Sequence, residues 1–255
     1  MTNEELDRAL RQLRLGGMAD VLAVRAQQAR ANNLGPLDFL AVLVHDELER
    51  RRDRLVARRI KNAGFRDVKT LDTFDWSFNA GFDRAQIFDL ATSRFIEQHD
   101  DVLMLGNAGV GKSHIAQAIG MAAIHAGFDV LYREAHVLFE ELLLADAIGE
   151  RANMIAAATE VQLLIIDDLG MRKLPASAAE DLLEIVMRRY ERSSTIITSN
   201  RPLEDWPRMF GDTPAVTAFL DRLMHHSHLL ELRGKSFRLH QSSVAARHRK
   251  AGAAK

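Results

Sequence analysis

The chain has 255 residues, 47% apolar and 27% charged, which suits one full domain plus a smaller one and excludes a disordered polypeptide. It contains no cysteine, which excludes disulfides, thiolate metal sites and thiol nucleophiles and fits a cytoplasmic location. The net charge of −1 conceals a segregation, with +4 on residues 1–70, −12 on residues 71–232 and +7 on residues 233–255.

The opening Met-Thr-Asn-Glu-Glu-Leu is acidic and helical in character, unlike a signal peptide. No apolar stretch approaches the ~20 residues of a membrane span, so no membrane partner is expected. Residues 3–33 carry helical apolar spacing through Leu6, Leu10, Leu13, Met18 and Leu22, and Gly16-Gly17 is expected to break them into two short helices. Pro36 suits the first turn of a third helix reaching about Lys61, with Phe39, Leu40, Val42, Leu43 and Leu48 expected on its buried side. Its second half is basic, with Arg50, Arg51, Arg52, Arg54, Arg58, Arg59 and Lys61. A solvated charged face and a polyanion contact are both open readings of that run. Residues 62–83 read as a linker whose aromatics, Phe65, Phe74, Trp76, Phe78 and Phe82, are expected to pack one domain against the next.

After a helix over residues 84–98, the apolar run Val102 to Leu105 leads into G-x-x-x-x-G-K-S, from Gly106 to Gly111, Lys112 and Ser113. Helical spacing resumes at Ile115, Ala118 and Ile119, so the context is strand, loop and helix. Gly106, Gly109 and Gly111 permit a tight loop whose N–H groups point inward, and the following helix adds the positive end of its dipole. Lys112 is placed to reach β- and γ-phosphates, and the Ser113 hydroxyl to sit on Mg²⁺. Pattern and context together imply a bound nucleoside triphosphate.

A second strand is expected at residues 129–133, two helices over 134–159 with a break at Gly149, and a third strand from Val161 that ends in Asp167-Asp168. A helix over 176–191, a buried strand Ser194 to Thr198, a helix near 214–226 and a last strand His228 to Leu232 complete the alternation. Such alternation implies a parallel sheet with helices on both faces and ligands at the carboxyl ends of the strands. Asp167, a carboxylate ending an apolar strand, needs a cation that Mg²⁺ can supply, and Asp168 is placed to polarise an attacking water. Asn200, at the next strand tip, can bond the γ-phosphate or that water. Arg222 is the candidate arginine finger, with a pair to Asp221 as its plainer role. His225, His226 and His228 are not joined by a carboxylate or further histidine at a zinc-site spacing, so the sequence does not mark a metal site there.

These residues, in this order, resemble the AAA+ ATPases of the IstB-like family, transposition helpers of insertion sequences related to the helicase loader DnaC and the initiator DnaA. The likeness rests on Leu13-Arg-Leu-Gly-Gly-Met18, Lys69-Thr-Leu-Asp-Thr-Phe-Asp75, Gly111-Lys-Ser-His114 and Ile166-Asp-Asp-Leu-Gly170. It continues through Arg189-Tyr-Glu-Arg192 to Ser199-Asn200, Leu220-Asp-Arg-Leu223 and Gly234-Lys-Ser-Phe-Arg238. The resemblance implies an α/β AAA+ P-loop NTPase with a five-stranded parallel sheet, preceded by a small all-α domain. The implied divisions are a helical assembly and DNA-contact domain over 1–68, a linker over 69–83, the ATPase domain over 84–238 and a basic, disordered tail over 239–255.

It extends the nucleotide segment over Gly106, Asn107, Ala108, Gly109, Val110, Gly111, Lys112, Ser113 and His114. It gives Asn200 the first-sensor role and makes Arg222 a finger inserted into the next subunit's site. ATP with Mg²⁺ is the implied cofactor, and slow ATP hydrolysis stimulated by DNA and by oligomerisation is the implied reaction. Double-stranded DNA, further copies of the chain and a transposase are the implied partners, with a DnaC-like helicase loader as the alternative reading. A monomeric small-molecule kinase would need an acceptor site and a closing lid, for which the sequence has no candidate. Two departures stand out. Asp168 replaces the family's usual glutamate, and only 23 residues follow Leu232, too few for a helical lid and its second sensor arginine. A neighbouring subunit is therefore expected to complete the pocket.

Overall fold

The computed structural model describes residues 2–79, 81–211 and 214–240, so most of the tail expected over 239–255 lies outside it. The chain divides into two compact units, one reaching Arg59 and one beginning at Ile60.

The first unit contains α1 (Asn3–Gln12), α2 (Gly16–Ala31) and most of α3 (Pro36–Ala63). A capping box starts α1, where Thr2 accepts from the Glu5 N–H and Glu5 accepts from the Thr2 N–H. Gly16-Gly17 is not the break between the first two helices. The turn falls at residues 13–15, with Arg14 left-handed, and both glycines belong to the first turn of α2. They belong there because Glu47 of α3 accepts the Gly17 and Met18 N–H groups, satisfying a helix start that lacks a side-chain cap of its own.

Part of the basic run on α3 is likewise consumed internally. Arg51 binds Glu47 and the Arg14 carbonyl, at 2.7 and 2.9 Å, and Arg50 binds Asp20 and the Gly16 carbonyl. The expected buried side of α3 is corrected too. Leu43 is buried, but Leu40 and Leu48 are exposed, because α1 and α2 cover only one face of the helix.

The second unit holds α4 (Arg84–Ala91), α5 (Arg94–Gln98), β1 (Asp101–Gly106), α6 (Lys112–Ala126), β2 (Val130–Glu134), α7 (Ala135–Ala147), α8 (Arg151–Glu160) and β3 (Leu163–Leu169). It continues with α9 (Ala178–Arg189), β4 (Ser194–Ser199), α10 (Trp206–Met209), α11 (Pro214–His225) and β5 (Ser227–Leu232). The single helix expected over 84–98 is two, separated at a left-handed Ser93. The two-helix stretch between β2 and β3 is present, with its break at a left-handed Gly149.

All strands are parallel, in the order β2-β3-β4-β1-β5. Burial of both faces explains why β3 is apolar from Leu163 to Ile166. Leu164 and Ile166 enter the core shared with α7, α9 and α11, whereas Ile165 points to Gly120 of α6 on the other face. Trp206 and Phe219 close the first of these cores.

At the amino end of the sheet, buried Arg189 donates to the carbonyls of Ala158, Val161 and Ser194 and to Thr195 Oγ1. Asp101 beside it accepts from the Thr195 N–H at 2.6 Å. Burial pushes the Asp101 carboxyl up to about 7, against the Thr195 bonds and the charge of Arg189. Among the described residues no helix is long and apolar enough to cross a membrane.

Candidate nucleotide site

The loop between β1 and α6 forms one wall of a cleft of about 640 Å³ at the carboxyl ends of the strands. Ala108, Gly109, Val110, Gly111, Lys112, Ser113 and His114 line it; Gly106 and Asn107 do not, but their carbonyls hold the lysine. Lys112 Nζ donates to Gly106 O at 2.9 Å and to Asn107 O at 3.0 Å, folded back onto its own loop. Burial lowers the Lys112 pKa, opposed by Asp168 and Asp167 and reinforced by Arg238. Two glycines of the loop are required by close neighbours. A Cβ on Gly111 would stand 2.6 Å from the Phe74 ring, and one on Gly109 would collide with Ser236 Oγ, and both residues have positive φ.

His114 turns to the linker, with Nε2 2.9 Å from Thr70 O and 3.3 Å from Thr73 Oγ1 and its ring edge-on to Phe74. The linker aromatics have partners inside the second unit. Phe65 packs on Tyr132 and Gly120, Phe74 on His114 and Trp76, and Phe78 on Phe237, all within the second unit. Linker and carboxyl-terminal segment thus meet over the phosphate loop. Phe237 N–H donates to Gly109 O at 2.9 Å, and Asn79 exchanges two hydrogen bonds with the Lys235 backbone.

The opposite wall comes from β2 and β3, with β4 behind it. Asp167 is buried, and each of its oxygens accepts a hydroxyl, from Tyr132 Oη at 2.6 Å and from Thr198 Oγ1. The cation expected from burial alone is therefore not its sole compensation. Thr198 also accepts the Asp168 N–H at 2.9 Å, where a register shift and a left-handed Asp168 (φ 56) re-aim the second carboxylate into the cleft. Burial and then Asp167 raise the Asp168 pKa, while Lys112 and Arg238 oppose that rise.

Asn200 follows β4 outside the cleft lining, and its Oδ1 is buried without a hydrogen-bond partner. A buried acceptor without a partner is open to a polar ligand or water. Arg222 lies on α11, with Nη1 3.2 Å from Ala218 O and 3.7 Å from Asp221 Oδ2, and does not line the cleft of its own chain.

Sequence reasoning missed Tyr132, Thr198, Phe74 and Arg238. A polar residue inside each apolar strand was the available signal for the first two. Arg238 reaches the cleft on the segment after β5. Ser113 and Asp167 both offer oxygen donors, the donor chemistry that Mg²⁺ takes.

A sequence profile of the IstB-like ATP binding protein family matches residues 8–245. The chain belongs to that family. Among IstB-like relatives, it is 34% identical over 241 residues to the ATP-binding protein of insertion sequence IS5376 from Geobacillus stearothermophilus, covering 94% of this chain and 96% of that one. It is 35% identical over 241 residues to the corresponding protein of insertion sequence IS21 from Pseudomonas aeruginosa, covering 94% and 91%. The crystal structure of the DnaC helicase loader shares the fold, with a TM-score of 0.54 at 23% identity over 64% of this chain and 96% of that one. The five-stranded parallel sheet of this IstB-like chain is thus the AAA+ P-loop fold, as the sequence implied.

Proposed function

We propose that this chain is an ATP-dependent, DNA-binding AAA+ ATPase that assembles with further copies of itself and assists a transposase in DNA transposition, working in the cytoplasm. The observation that carries the reading is an incomplete cleft. Phosphate loop, Asp167 and Asp168 converge in one chain, whereas Arg222 lies outside that cleft and partly exposed.

In this reading Lys112 exchanges its two loop carbonyls for the β- and γ-phosphates, and the loop N–H groups and the α6 amino terminus hold the rest. Ser113 and Asp167 would hold Mg²⁺, which neutralises phosphate charge when bound. Asp168 accepts from the attacking water, its raised pKa suiting it as a base, and Asn200, following β4, takes the first-sensor role with an Oδ1 that has no other partner. Arg238 adds a positive charge from the same chain, and Arg222 adds one to the neighbour's site.

Support for DNA contact comes from two basic surfaces. Arg52, Arg54 and Arg58 stay exposed on α3, and Arg172, Lys173, Arg201 and Arg208 line a second concavity. Exposed Leu37, Leu40, Val44 and Leu48 give α3 an apolar stripe suited to self-assembly. The transposase as partner is supported by the insertion-sequence relatives, which match over nine-tenths of both chains, against 64% of this chain for the loader. On this reading residues 1–68 serve assembly and DNA contact, 69–83 link, and 84–238 bind and hydrolyse ATP.

Lys112→Ala is expected to abolish ATP-dependent assembly on double-stranded DNA, measured by sedimentation; assembly that persists would overturn the reading. Arg222→Ala is expected to lose hydrolysis while retaining nucleotide binding. Pull-down with transposase and with replicative helicase separates the transposition and loader readings.

A further inference from the structure

Outside the nucleotide cleft, one group of side chains has the chemistry of a metal centre. Glu191, His225 and His226 each offer a ligand atom, and these atoms lie within 4.8 Å of one another, a grouping found nowhere else among the described residues. The sequence hid it because the carboxylate comes from a different element. Glu191 sits in the turn between α9 and β4, while His225 ends α11 and His226 follows it, just before β5.

The backbone there is held in place. Glu191 is left-handed at φ 55, and the Arg192 and Ser193 N–H groups both bond to Arg189 O, at 2.9 and 3.0 Å. Arg189 is itself buried and tied to five backbone and side-chain acceptors, so this turn rests on a rigid base. The His226 carbonyl accepts the Asp101 N–H at 2.7 Å, which fixes the chain as it leaves α11 for β5. A non-glycine residue kept in the left-handed region by such surroundings is a reason to look for function.

The side chains are aimed consistently. The two imidazoles stand edge to face, 4.2 Å between centroids, and His226 Nε2 lies 3.8 Å from Glu191 Oε1, too far for a hydrogen bond. Tyr190 Oη is 2.8 Å from His225 Nδ1, which leaves Nε2 of that ring open. A hydrogen bond to the distal nitrogen is the usual way a ligating histidine is oriented. His228, the third histidine of the stretch, is directed elsewhere, 3.3 Å from Asp100.

We propose that Glu191, His225 and His226 form a binding site for a divalent transition ion of the zinc class, with Tyr190 orienting His225. Two imidazoles and one carboxylate favour zinc, nickel or cobalt over magnesium or calcium, which take oxygen donors. Zn–N and Zn–O distances of about 2.0–2.1 Å place tetrahedral donors roughly 3.4 Å apart, a closure of up to about 1.4 Å that exposed side chains make by rotation. Three protein donors leave one position for water or a donor group from another molecule. The site is separate in place and in donor chemistry from Ser113 and Asp167. It lies one helical turn beyond Arg222, and the charges of Glu191, Arg222 and Asp221 all act on the Tyr190 hydroxyl.

The test is a Co²⁺ titration of the untagged full chain, stripped with chelator and free of nucleotide, followed by visible absorption and by displacement with Zn²⁺. One equivalent is expected to bind in the micromolar range with the absorption of a four- or five-coordinate ion. Glu191→Ala, His225→Ala and His226→Ala are each expected to weaken binding roughly tenfold or more. Tyr190→Phe keeps all three ligands and is expected to weaken it by less, and His228→Ala leaves it unchanged. Unaltered thermal melting without metal shows that the variants fold. Absence of saturable binding, binding that survives Glu191→Ala and His226→Ala, or equal loss in His228→Ala would each overturn the assignment.

Discussion

The two units bury their apolar side chains to very different extents. In the second, Leu163 to Ile166 on β3 and Ile196-Ile197 on β4 have no exposed surface at all. Up to Arg59, by contrast, the buried apolar residues among those described are Met18, Ala19 and Leu43, while Leu37, Leu40, Val44 and Leu48 face solvent. The second unit is therefore held by its core. The first relies heavily on polar contacts centred on Glu47 and on the paired Arg25–Asp46, at 2.7 and 2.8 Å. These four side chains, at i, i+3, i+7 and i+11, form the apolar stripe on which the proposed self-assembly rests.

That contrast can be broken in four ways. The largest effect is expected from Arg189→Ala, which strips donors from buried carbonyls and the counter-charge from Asp101. It should cost the second unit roughly 3–5 kcal/mol. Both tryptophans, Trp76 and Trp206, lie in that unit, so the urea midpoint by tryptophan fluorescence reports it alone. A midpoint that barely moves would show that the aliphatic core suffices.

Next comes pH. The folded Asp101 carboxyl sits at about 7 against an ordinary 3.8, so the folded state holds its proton more tightly than the unfolded state. Stability from this group is complete below about 4, is lost as pH rises towards 7, and is gone above it, a change of roughly 2–4 kcal/mol. Asp101→Asn should flatten that slope in fluorescence-monitored unfolding between pH 4 and about 8; an unchanged slope would assign it to other groups.

A smaller loss, about 1–3 kcal/mol, is expected for Glu47→Ala, which orphans the first amides of α2. It should reduce helical circular dichroism while leaving the tryptophan transition in place, and a shift in that transition would mean the units are not independent. The smallest effect on stability, within about 0.5 kcal/mol, belongs to the double substitution of Leu40→Ser and Leu48→Ser. Its readout is self-association by sedimentation, expected to weaken; undiminished association would remove the stripe from the assembly surface.

The two walls of the nucleotide cleft were unequally legible. The phosphate loop is contiguous from Gly106 to Ser113, and its chemistry is set by spacing alone, so sequence sufficed. The strands, their alternation with helices and the carboxylates at the tip of β3 followed from apolar runs ending in polar residues. Five such runs were read along the chain, the resemblance implied the same count, and the five parallel strands agree with it. Gly16-Gly17 misled because glycine marks breaks in general, and here Glu47, thirty residues away, made the glycines a helix start.

What only the tertiary structure decided are contacts between elements distant in sequence. Tyr132 and Thr198 reach Asp167 because β2 and β4 flank β3. Arg238 enters the cleft because the segment after β5 crosses the phosphate loop at Gly109. Glu191 meets His225 and His226 because α9 packs beside α11. Local spacing determines which backbone a segment adopts and so which loop can cradle a phosphate. Strand order and helix packing determine which side chains share a place, and no local pattern carries that information.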